Sequence, residues 1–541
     1  MSFQIEVNNR LIDATEGETL LTALRRHGIK VPTLCHMNRF TPSGACRLCV
    51  VEVEGKRDLI TSCSFPVEKG MKVLTNSPRV IKARKSLVEL LLSNHPDDCL
   101  YCERNGNCEL QWLAEEMNVK ERKYFCEKNR YFPDHSASSV ARDPAKCILC
   151  SRCVRMCEEI QAVTAIDFLH RSNKTIVNSA FNTGLNGSGC IHCGQCIMVC
   201  PTAALADISH IEKVQAAIAK QGKNTRFLVS PSVVVSVAEE LGMKPGEKLA
   251  GMITAALKKC GADTVYDLGA GCDIHIQQEA ALFLKRLGEP AGLPVLSSCC
   301  PSWVSYAETF RPEWLPLMSD AKSPQQKAGS LLKFDSNNLP VKEAASFFTV
   351  SVMPCTAKKY EASREEMTHK GVSEIDAVLT IRELFRLLRT NGIDLQSMEA
   401  ENYDGPFVRS SAAAFKMGYS GGKAEAVALE AFLQAGGKAE AFRFVVPKNI
   451  AKKKESKAMI NGQSYGFAWV SGMAEAVEYI DSLKRDKRTD IHYVEVMACL
   501  GGCAGGGGQP IDRHPAKPRN RKKICQEMEK LCYVQSPSQG A

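Results

Sequence analysis

Two stretches of this chain repeat one spacing: Cys147, Cys150, Cys153, Cys157, then Cys190, Cys193, Cys196, Cys200, the last followed by Pro201. Each reads C-x2-C-x2-C-x3-C, a run whose thiolates hold paired [4Fe–4S] clusters. The first three cysteines of a run cap one cube and the fourth reaches across to the other. Cys147, Cys150, Cys153 and Cys200 are therefore expected to hold one cluster. Cys157, Cys190, Cys193 and Cys196 are expected to hold the second. Eight thiolates that must converge on two centres leave this segment few ways to fold.

Cysteine is abundant elsewhere too, 25 residues in a chain of 541. Such a count means a disulfide scaffold or metal clusters. Disulfide frameworks belong to small secreted domains, whereas this chain is long enough for three or more domains. It opens MSFQIEVNN, without an apolar signal stretch or a twin-arginine motif. Its cysteines fall in short C-x-x-C runs, where neighbours reach one metal more readily than distant partners. Metal clusters in a reducing, cytoplasmic setting are the expectation. No run of about 18 apolar residues occurs, so no membrane span is expected. The formal charge of +9 is too diffuse to argue for nucleic acid. A mildly basic surface suits a small acidic electron carrier through long-range steering; a solvated mixed-charge surface explains it as well. Lys452–Lys454 and Lys517–Lys523 read as a loop and a solvated tail.

Residues 1–78 read as a small β-rich domain. Phe3–Val7 and Leu11–Asp13 flank Asn8 and Asn9, a hairpin signal. Thr19–Arg26 has helical spacing and is closed by Gly28. Cys35, Cys46, Cys49 and Cys63 follow, four thiolates that suit a [2Fe–2S] site, with Gly44 allowing tight backbone before the pair. Residues 79–125 begin with a helical stretch, Val80–Leu92, that delivers His95, Cys99, Cys102 and Cys108. On spacing alone this set fits zinc as well as an iron–sulfur cluster. Cys126 lies beyond it and reads as free. The paired motifs sit in residues 138–209, and His210–Lys220 reads as a connecting helix ending at Gly222. From about residue 224, β-like runs (Phe227–Val229, Val265–Leu268, Val295–Leu296, Phe347–Val352, Tyr493–Val496) alternate with helical stretches such as Val237–Leu241, Glu279–Leu287 and Ile381–Leu388. That is an α/β pattern with mainly parallel strands.

Three runs in this last part read VLSSCCPSW, VMPCTAKKYE and EVMACLGGCAGGGGQP. Each brings cysteine to a Gly/Pro-rich turn just after a strand-like stretch. Open α/β sheets place ligands at the carboxyl ends of strands, so the three can converge. Cys300, Cys355, Cys499 and Cys503 can close one thiolate site, with Cys299 left beside it as a spare acid. Together the runs resemble the signature of iron-only (FeFe) hydrogenases, and the resemblance covers essentially the whole chain. The Cys35–Cys63 set resembles the ferredoxin-like domain shared by these hydrogenases and a large subunit of respiratory NADH dehydrogenase. The His95 set resembles the His-ligated [4Fe–4S] cluster of the same two families.

The resemblance implies a multidomain α+β and α/β protein. Its parts are a β-grasp [2Fe–2S] ferredoxin domain (1–78), a [4Fe–4S] domain with one histidine and three cysteine ligands (79–125), a double [4Fe–4S] ferredoxin domain (138–209) and a two-lobed α/β catalytic domain (210–541). The activity implied is reversible interconversion of H2 with protons and electrons. The cofactors implied are one [2Fe–2S], three accessory [4Fe–4S] and an H-cluster. The last is a [4Fe–4S] on Cys300, Cys355, Cys499 and Cys503, joined through Cys503 to a di-iron unit with CO, cyanide and a bridging dithiolate carrying an amine. Lys358 is expected against one cyanide, and Ser232 with the backbone N–H groups after Pro231 near the other. Gly505–Gly508 lets backbone approach without a Cβ clash. Met353 and Met497 match soft apolar walls, although plain core methionine reads the same. Cys299 matches a relay thiol, or else is an inert buried cysteine, and Glu279 and Ser319 match the next two relay positions.

The second relay glutamate falls on Leu282, which cannot carry a proton, with Arg286 on the same helical face. Ser230, Ser298, Met417 and Leu500 also stand where the family usually has alanine, threonine, phenylalanine and proline. Because the cluster ligands are kept, the expectation is a divergent subgroup with an altered proton exit and slower turnover. Ferredoxin or a similar small carrier is the expected partner, since no G-x-G-x-x-G fingerprint follows a strand. Maturation proteins are expected to insert the di-iron unit. Cys126, Cys260, Cys272, Cys525 and Cys532 are left without a cluster. An electron-transfer subunit related to NADH dehydrogenase explains the first 200 residues but not the three runs. An H2-sensing protein stays open through the Leu282 departure, although no sensor or kinase extension is recognised and Cys299 is retained; a cluster-assembly relative would lack the full cysteine set.

Overall fold

The computed structural model describes residues 1–541 apart from 122, 126, 127, 129, 130, 221, 290, 291, 335–339, 408, 409, 446–453, 512–522 and 529–541. Cys126, Cys532, Lys452, Lys453 and most of the basic tail therefore lie outside the described residues. At the N-terminus five strands form one sheet in the order Arg10–Thr15, Ser2–Val7, Lys72–Leu74, Val50–Val53, Ile60–Thr61. Asn8 and Asn9 make the first hairpin with φ of 50° and 65°, the left-handed pair that a tight two-residue turn requires. The helix Leu20–Arg26 is capped by Thr19, whose hydroxyl accepts from Thr22 N, and it buries Leu20, Leu21, Ala23 and Leu24. The next helix, Pro78–Asn94, opens with Pro at its first position behind a Ser77 cap and ends at His95. Its buried Arg84 donates to the carbonyls of Leu48 (3.1 Å) and Val50 (2.7 Å). A guanidinium taken out of water needs such acceptors, and here they tie the helix to the loop bearing Cys46 and Cys49.

Residues 138–209 hold little regular structure. The strands Val140–Arg142 and Leu205–Asp207 pair antiparallel and bring the ends of the segment together. The repeated spacing gives a repeated backbone. Leu149 and His192 are left-handed (φ 54° and 59°), and so are Ser151 and Gly194 (φ 66° and 65°) at the next matching places. Each such non-glycine residue costs roughly 1–2 kcal/mol. Three of them, with Gly194 at the fourth matching position, are what a chain accepts when it must wrap its thiols around a core.

Two sheets organise the rest. The first is wholly parallel, in the order Thr264–Asp267, Asn224–Val229, Phe347–Met353, Ala377–Thr380. Its strands are largely buried on both faces, as a sheet covered by helices on both sides demands, with Thr349 and Ser351 as buried polar exceptions. The second runs Val295–Leu296, Tyr493–Met497, Gln463–Ser471, Glu455–Ile460, Phe444–Val445. Its first three strands are parallel and its last two antiparallel. The antiparallel edge was not read from the sequence. The helix Gly269–Arg286 lies between the sheets. Its Cys272, Ile276, Ala280 and Phe283 share one core with Leu228, Met353 and Val378 of the first sheet and Val295, Phe467, Tyr493 and Met497 of the second. Among the described residues no helix is long and apolar enough to cross a membrane.

Candidate metal centres and a buried acid site

All three distant cysteine runs follow strands that end on the core between the sheets. Cys300 stands at the start of the helix Pro301–Phe310, just past Val295–Leu296. Cys355 follows Phe347–Met353, and Cys499 and Cys503 follow Tyr493–Met497. The structure brings these four together. Burial pushes Cys499 well above an ordinary thiol, and the neighbouring Cys355, Cys300, Cys193 and Cys503 push it further. Cys503 rises in the same way, with Lys358 pulling against it, and burial followed by Cys300 takes Cys355 up to about 12. Thiols crowded out of water resist ionising, so a core that takes four thiolates here must supply positive charge, as iron does. The donor set fits an iron–sulfur cluster. The glycines close the site. A Cβ at Gly508 would stand 2.8 Å from Cys355 N, one at Gly506 would strike the Pro354 carbonyl, and one at Gly507 the Cys193 carbonyl.

Other expected site residues surround this centre. Lys358 is buried, and its Nζ donates to Glu361 at 2.8 Å and to the Cys299 carbonyl at 3.2 Å. Burial pulls the ammonium down, but Glu361, Cys355 and Cys299 outweigh it and raise it overall. Glu361, missed in the sequence, is held in turn by Ser323 Oγ at 2.8 Å. Pro231 opens the helix Pro231–Leu241, and the hydroxyls of Ser230 and Ser232 lie 2.9 Å apart. Met353, Met417 and Met497 are buried in the same apolar core as Cys299. Leu500 leans on Gly472, where a Cβ would meet its side chain at 3.2 Å.

Next to Cys299 lies a network that sequence reading largely missed. Glu279, wholly buried, accepts from Lys423 Nζ at 2.9 Å and Tyr493 Oη at 2.6 Å. It also accepts from Ser298 N at 3.2 Å, and His275 Nε2 lies 3.3 Å away. Burial alone would raise its carboxyl, but Lys423 and then His275 hold it well below the usual range. Lys423 is pulled down by burial and raised overall by nearby Cys299 and by Glu279, its ion-pair partner. His275 Nδ1 donates to the Lys322 carbonyl at 2.8 Å. Ser319 is buried, and its Oγ accepts from Ala321 N at 3.2 Å. Glu279 is thus an anion locked in an ion pair, a stiffer element than a free relay acid. His275 was legible in principle, four residues before Glu279 on one helix face. Lys423 had one signal, a lysine in the first turn of Gly422–Gln434, where the helix dipole disfavours it.

The accessory cysteines form further groups. One cavity is lined by Cys147, Cys150, Cys153 and Cys200, and a second by Cys157, Cys190, Cys193 and Cys196. In the first domain Cys35 and Cys46 shift one another's ionisation, as do Cys49 and Cys63, so each pair stands close together. His95 sits at the end of its helix, pulled down to about 4 by burial. Cys99 is exposed, and Cys108 Sγ lies 3.6 Å from the Pro201 carbonyl. Among the described residues no three such side chains are close enough to share a single metal ion; thiolates around a multi-iron core stand further apart. The groups are contiguous. Arg152, paired with Glu109 at 2.6 Å, feels both Cys46 and Cys150. Cys153 acts on Cys196, and Cys193 on Cys499. Gln195 donates to the Gly505 carbonyl at 2.9 Å and Thr356 to the His192 carbonyl at 2.9 Å. Cys260, Cys272 and Cys525 are buried and belong to none of these groups.

Comparison with known proteins follows the same division. Residues 223–507 match the family model of the iron only hydrogenase large subunit, C-terminal domain. Residues 1–78 match a 2Fe-2S iron-sulfur cluster binding domain. Residues 84–123 match the NADH-ubiquinone oxidoreductase-G iron-sulfur binding region, and residues 146–204 a 4Fe-4S dicluster domain. The chain is 38% identical to the NADP-reducing hydrogenase subunit HndD of Solidesulfovibrio fructosivorans, over 94% of this chain and 88% of that protein. It is 34% identical to iron hydrogenase 1 of Clostridium pasteurianum, over 96% and 90%. A solved apo [FeFe]-hydrogenase HydA1 from Chlamydomonas reinhardtii is 26% identical with a TM-score of 0.50, over 60% of this chain and 89% of that one.

Proposed function

The chain belongs to the iron-only hydrogenase family, with iron–sulfur electron-transfer domains ahead of its C-terminal domain, and from that premise we propose that it interconverts H2 with protons and electrons. The observation that carries this reading is the meeting of Cys300, Cys355, Cys499 and Cys503 from three distant strands, with Cys299 and a buried acid network beside them. In this reading those four thiolates hold the [4Fe–4S] part of an H-cluster. Cys35, Cys46, Cys49 and Cys63 hold a [2Fe–2S], and His95 with Cys99, Cys102 and Cys108 holds a [4Fe–4S]. The two cavities of the paired motifs hold two more. When bound, the H-cluster supplies the open iron site, the electrons and the base at which H2 is made or split.

The protein's own groups do the rest. Lys358 Nζ, kept charged by Glu361, offers an ammonium to an anionic di-iron unit, with Ser232 and the N-terminus of Pro231–Leu241 on the other side. Met353 and Met497 exclude water from the apolar wall. Cys299 Sγ holds the proton nearest the centre and exchanges it with the Lys423–Glu279 pair. The contiguous thiol groups carry electrons between the surface and the centre. Ferredoxin or a similar small carrier in a reducing cytoplasm suits them, after maturation proteins insert the di-iron unit. The name of the Solidesulfovibrio relative favours a second source, a nicotinamide reached through another subunit.

The test is H2 evolution from a reduced viologen dye after insertion of the di-iron unit. We expect turnover in the wild type and a fall of about 10²-fold or more in Cys299→Ala. A loaded wild-type chain without turnover would leave a sensing role or electron transfer alone.

A further inference from the structure

On the hydrogenase reading, a proton must pass between buried Glu279 and solvent. The helix position one turn on, where a second acid would serve, holds Leu282, which packs on the core between the sheets. Arg286 follows, and its guanidinium donates to the carbonyls of Leu317 (2.8 Å) and Met318 (3.0 Å). An arginine does not give up its proton in a protein, so this face of the helix carries none outward.

An adjoining face differs. A solvent-open cleft of about 400 Å3 lies against the helix at Gln278 and Ala281, with Asp320, Ala321, Lys322 and Lys327 along its other wall. That volume takes many waters. Asp320 is exposed and follows Ser319 directly. Among the described residues no ion pair involves its carboxylate, whereas Lys322 is paired with Glu374. The cleft wall is also joined to the interior. Ser298 N donates to Glu279 at 3.2 Å, Ser298 Oγ donates to the Ala321 carbonyl at 2.8 Å, and Ala321 N donates to Ser319 Oγ at 3.2 Å.

We propose that protons move between Glu279 and solvent by way of Ser319 and this solvent-open cleft, with Asp320 as the outer acid in place of the one missing at position 282. The amides of Ser298 and Ala321 hold the Glu279 and Ser319 oxygens at the cleft wall and carry no proton. Each transfer exchanges one O–H bond for another, among Glu279, Ser319 Oγ, water entering from the cleft and Asp320, which trades its proton with bulk water or buffer. The sequence already separates the two routes: the acid leaves the helix at 282 and a carboxylate stands next to Ser319.

The test uses the full chain with all its clusters inserted. In Asp320→Asn, H2 evolution in weakly buffered medium falls roughly tenfold, less than the ~10²-fold typical of a group acting in the bond-making step. Acetate in the medium restores it, and Asp320→Glu recovers most of the loss. Ala281→Phe, which narrows the cleft from an exposed helix position, lowers the rate, and acetate does not restore it. With no turnover running, the infrared bands of iron-bound CO keep their positions in these variants. After a pH jump they relax more slowly in Asp320→Asn and Ala281→Phe. Wild-type rates and wild-type relaxation in both variants overturn the proposed exit. A wild-type chain that shows the bands but evolves no H2 contradicts the enzymatic reading instead, and the relaxation comparison then still decides the exit.

Discussion

In residues 138–209 the cysteines of each pocket lie three positions apart in the chain, with one borrowed from the other run. In the two lobes, the four cysteines of the central site come from the ends of three strands, at 300, 355 and 499–503. The first arrangement is set by local backbone, the left-handed residues at matching places in each repeat. The second is set by two sheets and the helix between them. The first kind of site is as strong as its own loop, whereas the second depends on everything that holds the lobes in register.

That contrast is sharpest when one cysteine is removed from each. Cys355→Ala is expected to abolish both H2 evolution and the infrared bands of iron-bound CO, because the central site loses a corner. Cys153→Ala is expected to remove the paramagnetic signal of one accessory cluster while the CO bands remain. Loss of the CO bands in both would mean that the two sites are not separately built.

The buried pair in the lobes comes next in size. Lys423→Met leaves Glu279 charged in the core, with an expected loss of about 3–5 kcal/mol in denaturant unfolding of the lobes. Lys423→Met with Glu279→Gln is expected to recover most of it. The sign with pH follows from the depressed Glu279. The pair contributes fully above the ordinary carboxylate range near pH ~4.3 and is lost as pH falls below it. The Lys423→Met deficit should therefore shrink on acidification; a deficit independent of pH would mean that Glu279 is not the group left unpaired.

The junction between the two regions gives smaller effects. His210 is pulled down to about 3, by burial first and then by Lys359 and Lys213, and its Nδ1 accepts from Val378 N at 3.2 Å. A histidine held neutral in the fold contributes stability that is full above its unfolded pKa of ~6.5 and is lost as pH falls toward the folded value, about 2 kcal/mol by pH ~5. His210→Asn keeps an acceptor without the titration, so its melting temperature should fall less between pH 7 and 5 than that of the wild type. Thr356→Val removes only the bond to the His192 carbonyl, and a loss near 1 kcal/mol is expected in the same melts.

What could be read in advance follows the same divide. The paired motifs state their ligands by spacing, and the Asn8–Asn9 hairpin and three strands of the parallel sheet show in residue type; the fourth, Ala377–Thr380, is too short to stand out. Lys423 and Tyr493 reach Glu279 from 144 and 214 residues away, with no local pattern to mark them. Arg84, buried under the first domain, reads in sequence as one more surface arginine of a charged helix. The cleft beside Asp320 belongs to no segment at all; it exists only where a helix and a loop fail to fill the space between them.

In this reading three remote strand ends build one site for an iron centre carrying diatomic ligands. Infrared spectroscopy of the matured wild-type chain beside Cys503→Ser decides it. Bands of iron-bound CO and cyanide are expected in the wild type and are expected to vanish in Cys503→Ser, with the accessory clusters intact in both. A matured wild-type chain with its accessory clusters filled and no such bands would contradict it, and would leave a conduit for electrons.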